Sequence, residues 1–395
     1  MFEGKKILIG VSASVAIYKA CELIRSLRKE GYEVKVAMTK EAQGFISSIL
    51  FESLSSNKVY TDVLQENSFL GISHIELANW ADAIVIVPAT ANIIAKIAYG
   101  IADCPVSLAT LASDKPKIIA PAMNTKMYEN TATQENIALL KKRGFIFVEP
   151  TVGELACNSV GRGHIASVEE IQDCIESVFF EKSLKGKTII TTASATREEI
   201  DPVRFISNYS SGKMGFALAQ MAFNMGAESI LISGPSNLET PFGVNRINVK
   251  TALEMLNALD IQIQKSKQDT YVIMAAAVSD FKTKQTSNYK IKRQNKDTFI
   301  LELVQNPDIS KTLKEKYPHI KLIGFAAETN DLIENAKAKI DKKGLEFIVL
   351  NDVSRKDIGF GTINNEVTII LKDGKMKHLP FMTKKEIAYN ILKLL

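Results

Sequence analysis

Twice in this chain a short β-branched run ends in a loop of small and hydroxyl residues: "KKILIGVSAS" at residues 5–14 and "GKTIITTASAT" at residues 186–196. Further β-branched runs follow each, alternating with stretches that carry apolar residues at helical spacing. Such alternation requires parallel strands, because each helix must return the chain to the starting edge of the sheet, and it covers both sheet faces. Strand candidates in the first half are residues 7–10, 33–38, 83–88, 117–120 and 145–148, with helices at 16–30, 91–99 and 134–143. In the second half the strand candidates are 188–192, 229–233, 271–274, 321–325, 347–351 and 366–371. The charged, glycine-containing segment "FEKSLKGK" at residues 180–187 breaks the pattern just before it restarts. The 395 residues also exceed the roughly 250–300 over which one core keeps growing, so two domains are expected, residues 1–186 and 187–395. Both are read as α/β: a flavodoxin-like or Rossmann-like doubly wound parallel sheet first, and a Rossmann-like α/β domain second. The two opening loops share an architecture and are not a sequence repeat.

Bulk properties remove several classes of function. A hydrophobic content of 46% with 24% charged residues is that of a globular chain, and no apolar run approaches the ~18 residues that span a bilayer. The net charge of +5 is small for this length; it suits anionic small molecules and not nucleic acid. The chain enters a strand at once, without a signal-peptide layout, and its four cysteines show no CxxC spacing. A reducing cytoplasm is therefore the expected location.

In doubly wound sheets ligands bind beyond the carboxyl ends of the strands, beside helix N-termini that favour phosphate. Three strand ends in the first half are small and uncharged there. The first carries Gly10, Ser12, Ala13 and Ser14; the next carries Pro88, Ala89, Thr90 and Asn92; the third carries Met123 and Asn124 in "PAMNTKMY". Thr39, after residues 33–38, joins this set. Ser14 and Thr90 read equally as helix caps or as phosphate donors. The full G-x-G-x-x-G pattern is absent, which points to a single phosphate rather than a pyrophosphate. A flat, mostly neutral heterocycle with one phosphate tail suits the lining, and flavin mononucleotide (FMN) is such a ligand. His74, in "SHIELA", is either a packed structural residue or a functional one. Cys157 lies in "GELACNSVGRGHIA", where Gly153, Gly161 and Gly163 suggest a mobile loop beside Arg162; a thiol there is either inert or able to move a proton.

Together "GVSASVAIYK", "SHIELA", "PATANIIAKIAYGIAD", "PAMNTKMY" and "GELAC" resemble the flavin-dependent cysteine decarboxylases, among them the phosphopantothenoylcysteine decarboxylases. The resemblance implies that FMN oxidises the cysteinyl thiol of the substrate toward a thioaldehyde, so that carbon dioxide leaves with its electrons accepted by C=S. It implies His74 beside the flavin, Asn124 holding the substrate carboxylate, and Cys157 as proton donor. A carboxamide binds a carboxylate without fixing a counter-charge that opposes its departure as CO₂, and apolar Met123 and Met127 would destabilise the charged ground state. The flap departs from the family pattern A-C-G-x-x-G-x-G-R at Asn158 and His164. Asparagine tolerates a left-handed backbone, and Arg162 stands near enough in sequence to take over the displaced arginine.

In the second half, "TREEIDPVRFISNYSSGKMGFALA" at residues 196–219 places Ser210, Ser211, Gly212 and Lys213 at a helix start, an anion site without Walker A spacing. Arg204 precedes it in a polar run too specific for a plain connection. "MAAAVSDF" ends a strand in tiny residues, Ala275 and Ala276 among them, with Asp280 placed for a divalent cation or a ribose. The polar, lysine-rich stretch 282–296 reads as a loop or flap. Lysines at 290, 292, 337, 339, 342 and 343, read singly, are solvated surface; gathered near strand ends they fit a triphosphate.

This half resembles phosphopantothenate–cysteine ligase, with "DPVRFISNYSSGKMG" as the most specific match. That family uses CTP and Mg²⁺ to convert 4′-phosphopantothenate to an acyl-cytidylate, from which L-cysteine displaces CMP. The resemblance implies that Asn208 and Lys290 act on the acyl-cytidylate. It also implies that Asp280, Asn306, Pro307, Asp308, Ile309, Phe325, Lys339 and Lys343 contact the nucleotide, with Asp280 as the metal ligand. Ser194 and Ala195 replace glycines common in relatives. The resemblance further implies homo-oligomers: trimeric decarboxylase units and dimeric ligase units. A bifunctional enzyme of coenzyme A biosynthesis is the resulting expectation. The alternatives are an FMN-binding regulatory relative of the decarboxylase and a nicotinamide-dependent reductase, which the missing glycine pattern disfavours.

Overall fold

Strands covered on both faces should be apolar at every position, and the central ones are: all seven residues of Ala83–Ala89 are buried. A computed structural model describes residues 2–63, 73–154, 160–266, 269–292, 299–328, 332–352 and 364–395. The chain divides into two compact units, Met1–Phe179 and Phe180–Leu395.

Unit 1 holds strands β1 (Lys6–Val11), β2 (Glu33–Met38), β3 (Val59–Tyr60), β4 (Ala83–Ala89), β5 (Lys117–Pro121) and β6 (Ile146–Phe147). They form one parallel sheet in the order β3-β2-β1-β4-β5-β6. The order reverses between β1 and β4, which opens a crevice at their carboxyl ends. Its helices are α1 (Tyr18–Lys29), α2 (Ser48–Ser55), α3 (Ser73–Trp80), α4 (Ala91–Tyr99), α5 (Pro105–Ala112), α6 (Thr125–Glu129), α7 (Thr131–Lys142) and α8 (Val168–Ser177). α1 buries Ala20, Leu23, Ile24 and Leu27, the i, i+3, i+4, i+7 face that the sequence displays. The helix expected over residues 16–30 begins instead as a 3-10 turn at Val15–Ile17. An antiparallel hairpin, β7 (Thr151–Glu154) and β8 (Val160–His164), stands apart from the sheet.

Unit 2 begins with β9 (Lys187–Ala193), a small ribbon β10 (Glu198–Glu199) and β11 (Phe205–Ile206), α9 (Lys213–Asn224), β12 (Glu228–Ser233), β13 (Asn245–Asn248), α10 (Ala252–Lys265) and β14 (Asp269–Met274). A second ribbon, β15 (Phe281–Thr283) with β16 (Leu303–Gln305), is followed by α11 (Ile309–Lys316), β17 (Lys321–Glu328), α12 (Leu332–Lys343), β18 (Leu345–Asp352), β19 (Asn364–Leu371), β20 (Met376–Thr383) and α13 (Lys384–Leu392). The eight-stranded sheet runs β13-β12-β9-β14-β17-β18-β19-β20. Its first six strands repeat the topology of unit 1, with the reversal between β9 and β14. Successive side chains point to opposite faces: Ile189, Tyr271 and Ile273 pack with α9 and α13, whereas Ile190 and Val272 pack with α10 and α11. Each such apolar side chain stabilises the fold by about 1.5–3 kcal/mol when fully buried.

Two expectations are corrected. The second sheet is not parallel throughout, since β19 and β20 run antiparallel to their neighbours. β20 was not legible because it is an edge strand: among its residues only Leu379 is fully buried, and Pro380 breaks the apolar pattern. The stretch 282–296 is not wholly loop either, because the β15–β16 ribbon forms its base.

Candidate functional site

The carboxyl ends of β1 and β4 are bound to each other by one hydroxyl. Ser12 Oγ donates to Pro88 O at 2.7 Å and accepts Thr90 N–H at 3.0 Å. Ser12 is 2% exposed and its hydroxyl proton goes to Pro88 O, so it builds the crevice wall. Gly10 also has a packing reason: a Cβ there would lie 2.7 Å from Val106 Cγ1. Ser14 caps the 3-10 turn, accepting Ala16 N–H at 3.3 Å, and Thr90 caps α4, accepting Ile93 N–H. Each cap uses a lone pair and leaves a hydroxyl proton, so the capping and ligand readings are compatible. Thr39 is buried and caps the turn Lys40–Gly44. Ala13, Ser14, Thr90, Met123 and Asn124 are half-buried and Asn92 is exposed; Pro88 and Ala89 are buried. This rim carries no charge from the three strand ends.

Asn124 terminates the β5 turn and caps α6, its Oδ1 accepting Lys126 N–H at 2.9 Å. Met123 packs against the core, but Met127 is 51% exposed and does not wall the carboxamide within one chain. The hairpin lies directly against this turn. Met123 N–H donates to Gly163 O at 3.2 Å. A Cβ at Gly163, whose φ is +146°, would stand 2.2 Å from Met123 O, and one at Gly161 would stand 2.3 Å from Thr125 Oγ1. These glycines serve close approach rather than mobility, which corrects the sequence reading of Gly161 and Gly163. Arg162 of the hairpin stacks over Tyr128 and approaches Glu149 at 3.7 Å. Tyr128 donates to Glu149 at 2.5 Å, and Lys141 pairs with the same carboxylate. Burial, with Glu149 second, pushes the Tyr128 phenol up to about 12. Cys157 and Asn158 lie outside the described residues, as does the side chain of His74; its backbone belongs to α3.

In unit 2 a cavity of about 360 Å³ opens at the β9–β14 reversal. The anticipated anion loop is part of its wall: Ser210, Ser211, Gly212 and Lys213. α9 is not serine-capped. Gly212 occupies the N-cap with φ +79° and no side-chain cap, and a Cβ there would meet Ser194 Oγ at 2.2 Å. Ala275, Ala276 and Asp280 form a second wall, and Phe325 with Lys339 a third. The crossing of the two strands is tied by Ala277 N–H to Ser194 O at 2.8 Å, and Asn208 Nδ2 donates to Ala277 O at 3.2 Å.

Other anticipated residues are not in the cavity lining. Arg204 is engaged by Asp201, and Lys290 lies exposed beside Ile291. Asn306 N–H donates to Asp280 O and its Nδ2 to Ser279 O, both at 2.8 Å, while its Oδ1 is buried with no partner among the described residues. Asp308 caps α11 and pairs with Lys343 at 3.2 Å, with Pro307 and the buried Ile309 on either side.

Three polar side chains of the lining were missed: Asn351, Asn365 and Lys384. A signal for the last was present. Thr383 and Glu386 form a capping box, which marks Lys384 as the first residue of a helix, where a cation opposes the helix dipole.

The family profile "Flavoprotein" matches residues 1–180, and "DNA/pantothenate metabolism flavoprotein C-terminal domain" matches residues 184–395. Coenzyme A biosynthesis bifunctional protein CoaBC of Bacillus subtilis (strain 168) is 44% identical, with 100% of this chain and 97% of that protein covered. The protein of the same name from Borreliella burgdorferi is 43% identical, with 100% of both covered. A crystal structure of the C-terminal domain of a CoaBC protein is 42% identical, covering 54% of this chain and 96% of that one at a TM-score of 0.46. Matched across both halves, the chain belongs to the family of coenzyme A biosynthesis bifunctional proteins, with a flavoprotein domain at its N-terminus and a pantothenate-metabolism domain at its C-terminus.

Proposed function

We propose that the chain catalyses two successive steps of coenzyme A biosynthesis, one at each switch-point crevice. Residues 187–395 ligate L-cysteine to 4′-phosphopantothenate with CTP through an acyl-cytidylate, and residues 1–186 decarboxylate the resulting 4′-phosphopantothenoylcysteine to 4′-phosphopantetheine. Membership of the bifunctional family supports both activities. The observation that carries the division of labour is the contrast between the crevices. The first is neutral, whereas the second is lined by Lys213, Lys339 and Lys384 with Asp280.

The donor set of the first crevice fits FMN: uncharged side chains for a heterocycle, and first-turn N–H groups after Ser14 and Thr90 for a phosphate. Bound FMN supplies reversible two-electron oxidation of the cysteinyl thiol. Asn124 orients the substrate carboxylate, Cys157 delivers the proton to the product, and His74 stands at the flavin. In unit 2, lysines offset the repulsion between a triphosphate and a carboxylate. Asp280, in the cavity wall, suits Mg²⁺, which takes one or two protein oxygens and completes its shell with phosphate oxygens and water. Decarboxylase units assemble as trimers, as the family resemblance implies. Ligase units pair as dimers, and the enzyme works in the cytoplasm.

The test supplies the full chain with 4′-phosphopantothenate, cysteine, CTP and Mg²⁺. Pyrophosphate, CO₂ and 4′-phosphopantetheine are expected. A protein that cannot take up FMN overturns the decarboxylase half, and the absence of cysteine-dependent turnover of CTP overturns the ligase half.

A further inference from the structure

Glu149 stands in the connection between β6 and the hairpin, and three elements meet on its carboxylate. From α6, Tyr128 O–H donates to Oε2 at 2.5 Å. From α7, Lys141 pairs with Oε1. From β8, Arg162 Nη2 approaches Oε2 at 3.7 Å, with its guanidinium 5.7 Å from the centre of the Tyr128 ring. Burial raises the carboxyl, but the hydrogen bonds from Lys141 and Tyr128 outweigh it and hold Glu149 below the usual carboxylate range.

Two of these partners lead to the turn at Asn124. α6 has only five residues, Thr125–Glu129, too few for a helix that holds itself. Asn124 caps its start, and Tyr128 N–H donates to Asn124 O at 2.9 Å, so the Tyr128 side chain fixes the far end of the same turn. At 4% exposure the phenol requires an acceptor, and Glu149 is that acceptor. Arg162 reaches the turn from the other side, because the next residue, Gly163, accepts Met123 N–H at 3.2 Å. The Arg162 and Lys141 side chains are half exposed, and ion pairs of that kind add little to stability. What the carboxylate adds is geometry: one group holds both the helix that Asn124 begins and the strand that lies on Met123.

We infer that Glu149 is a positioning residue for decarboxylation, holding α6 through Tyr128 and the hairpin through Arg162 so that both keep their places about Asn124. The consequence for catalysis rests on the decarboxylase reading of unit 1; the coupling of helix to hairpin does not.

The experiment uses the FMN-loaded full chain and compares wild type with Glu149→Ala, Tyr128→Phe, the double variant, Arg162→Gln and Arg162→Lys. Decarboxylation of supplied 4′-phosphopantothenoylcysteine is measured beside amide hydrogen exchange, with FMN absorbance and cysteine ligation as controls. Glu149→Ala should lower kcat about tenfold with KM within about threefold. It should also speed exchange of the Met123 and Tyr128 amides at least about tenfold, while those of β4 stay protected. Tyr128→Phe should lower kcat at least about threefold, and the double variant should be no worse than Glu149→Ala, because residues that act as a unit are not additive. Arg162→Gln should speed exchange at Met123 at least about threefold, and Arg162→Lys, which keeps the charge, should recover most of the protection. A Glu149→Ala kcat equal to that of wild type overturns the assignment, as do multiplicative losses in the double variant. Loss of FMN absorbance or an equal loss of cysteine ligation marks general distortion and overturns it too. Should Glu149→Ala not fold, Arg162→Gln decides, since its side chain is at the surface: unchanged exchange at Met123 overturns the inference. Wild type that releases no CO₂ overturns the decarboxylase reading itself, an outcome distinct from an active wild type with an indifferent Glu149 variant, and the exchange measurements still test the coupling.

Discussion

Ile291 N–H donates to Asp201 Oδ2 at 3.1 Å, joining two segments that lie 90 residues apart in the chain. The same oxygen accepts Arg204 Nε at 3.0 Å, and Arg204 Nη2 returns to Ile291 O at 2.8 Å. Asp201 Oδ1 accepts Val203 N–H at 2.9 Å and Arg204 N–H at 2.8 Å. This clamp fastens the loop that carries Lys290. Asp201→Asn removes the charge that holds Arg204, and misplacing Lys290 should lower ligase kcat by about tenfold to a hundredfold. Decarboxylation of supplied 4′-phosphopantothenoylcysteine should be unchanged; an unaltered ligase rate refutes the clamp. The Arg204 side chain first, and backbone N–H groups after it, hold the Asp201 carboxyl far below the usual range. A depressed folded value stabilises above the unfolded pKa of about 4 and is lost as pH falls below it. Between pH 7 and pH 3 the Tm of wild type should therefore fall more steeply than that of Asp201→Asn.

Gly163 admits no side chain. Alanine there would meet the Met123 carbonyl at 2.2 Å and push the hairpin off the turn that holds Asn124. Gly163→Ala should reduce decarboxylation by at least about tenfold, since small displacements of a reacting group cost that much. Ligation of cysteine should be unaffected. A fully active decarboxylase would mean that the hairpin need not seat on residues 123–125.

Asn124→Asp separates two functions of one side chain. Aspartate caps a helix as well as asparagine, so α6 and the fold should be retained, with Tm within about 1–2 °C. The substrate carboxylate would face a like charge instead of an amide donor, and decarboxylation should fall by at least about a hundredfold while FMN absorbance survives. Wild-type turnover by this variant removes Asn124 from carboxylate recognition.

Ser194 has φ +66°, a conformation that costs a residue with a side chain roughly 1–2 kcal/mol. Its hydroxyl lies 3.3 Å from Ser233 Oγ. Comparing Ser194→Gly with Ser194→Ala cancels the loss of that hydroxyl and isolates the strain. Glycine should be the more stable by about 1 kcal/mol in urea titration. Equal midpoints would show that the backbone relaxes to accommodate a side chain.

Much of the architecture could be read from residue order alone. β2 and α4 occupy the spans expected from apolar patterning, because a buried strand and an amphipathic helix each display their environment locally. The three neutral strand ends of unit 1 and the anion loop of unit 2 were legible for the same reason: each is one contiguous segment. β20 was not, being an exposed edge with one buried side chain, and the hairpin glycines were misread because their neighbours, Met123 and Thr125, come from a distant turn.

What the sequence determined by itself was local: where strands end, which ends are neutral and which cationic, and hence the family. Tertiary structure decided which of those residues meet. It turned Ser12 inward to bind β1 to β4, set Arg204 on Asp201 rather than in the cavity, and carried Lys384 from the C-terminal helix to the side of Lys213. The reason is physical. Periodicity and turn chemistry act over a few residues, whereas the energy of a hydrogen bond or a buried charge depends on partners that only the folded chain brings within a few ångströms.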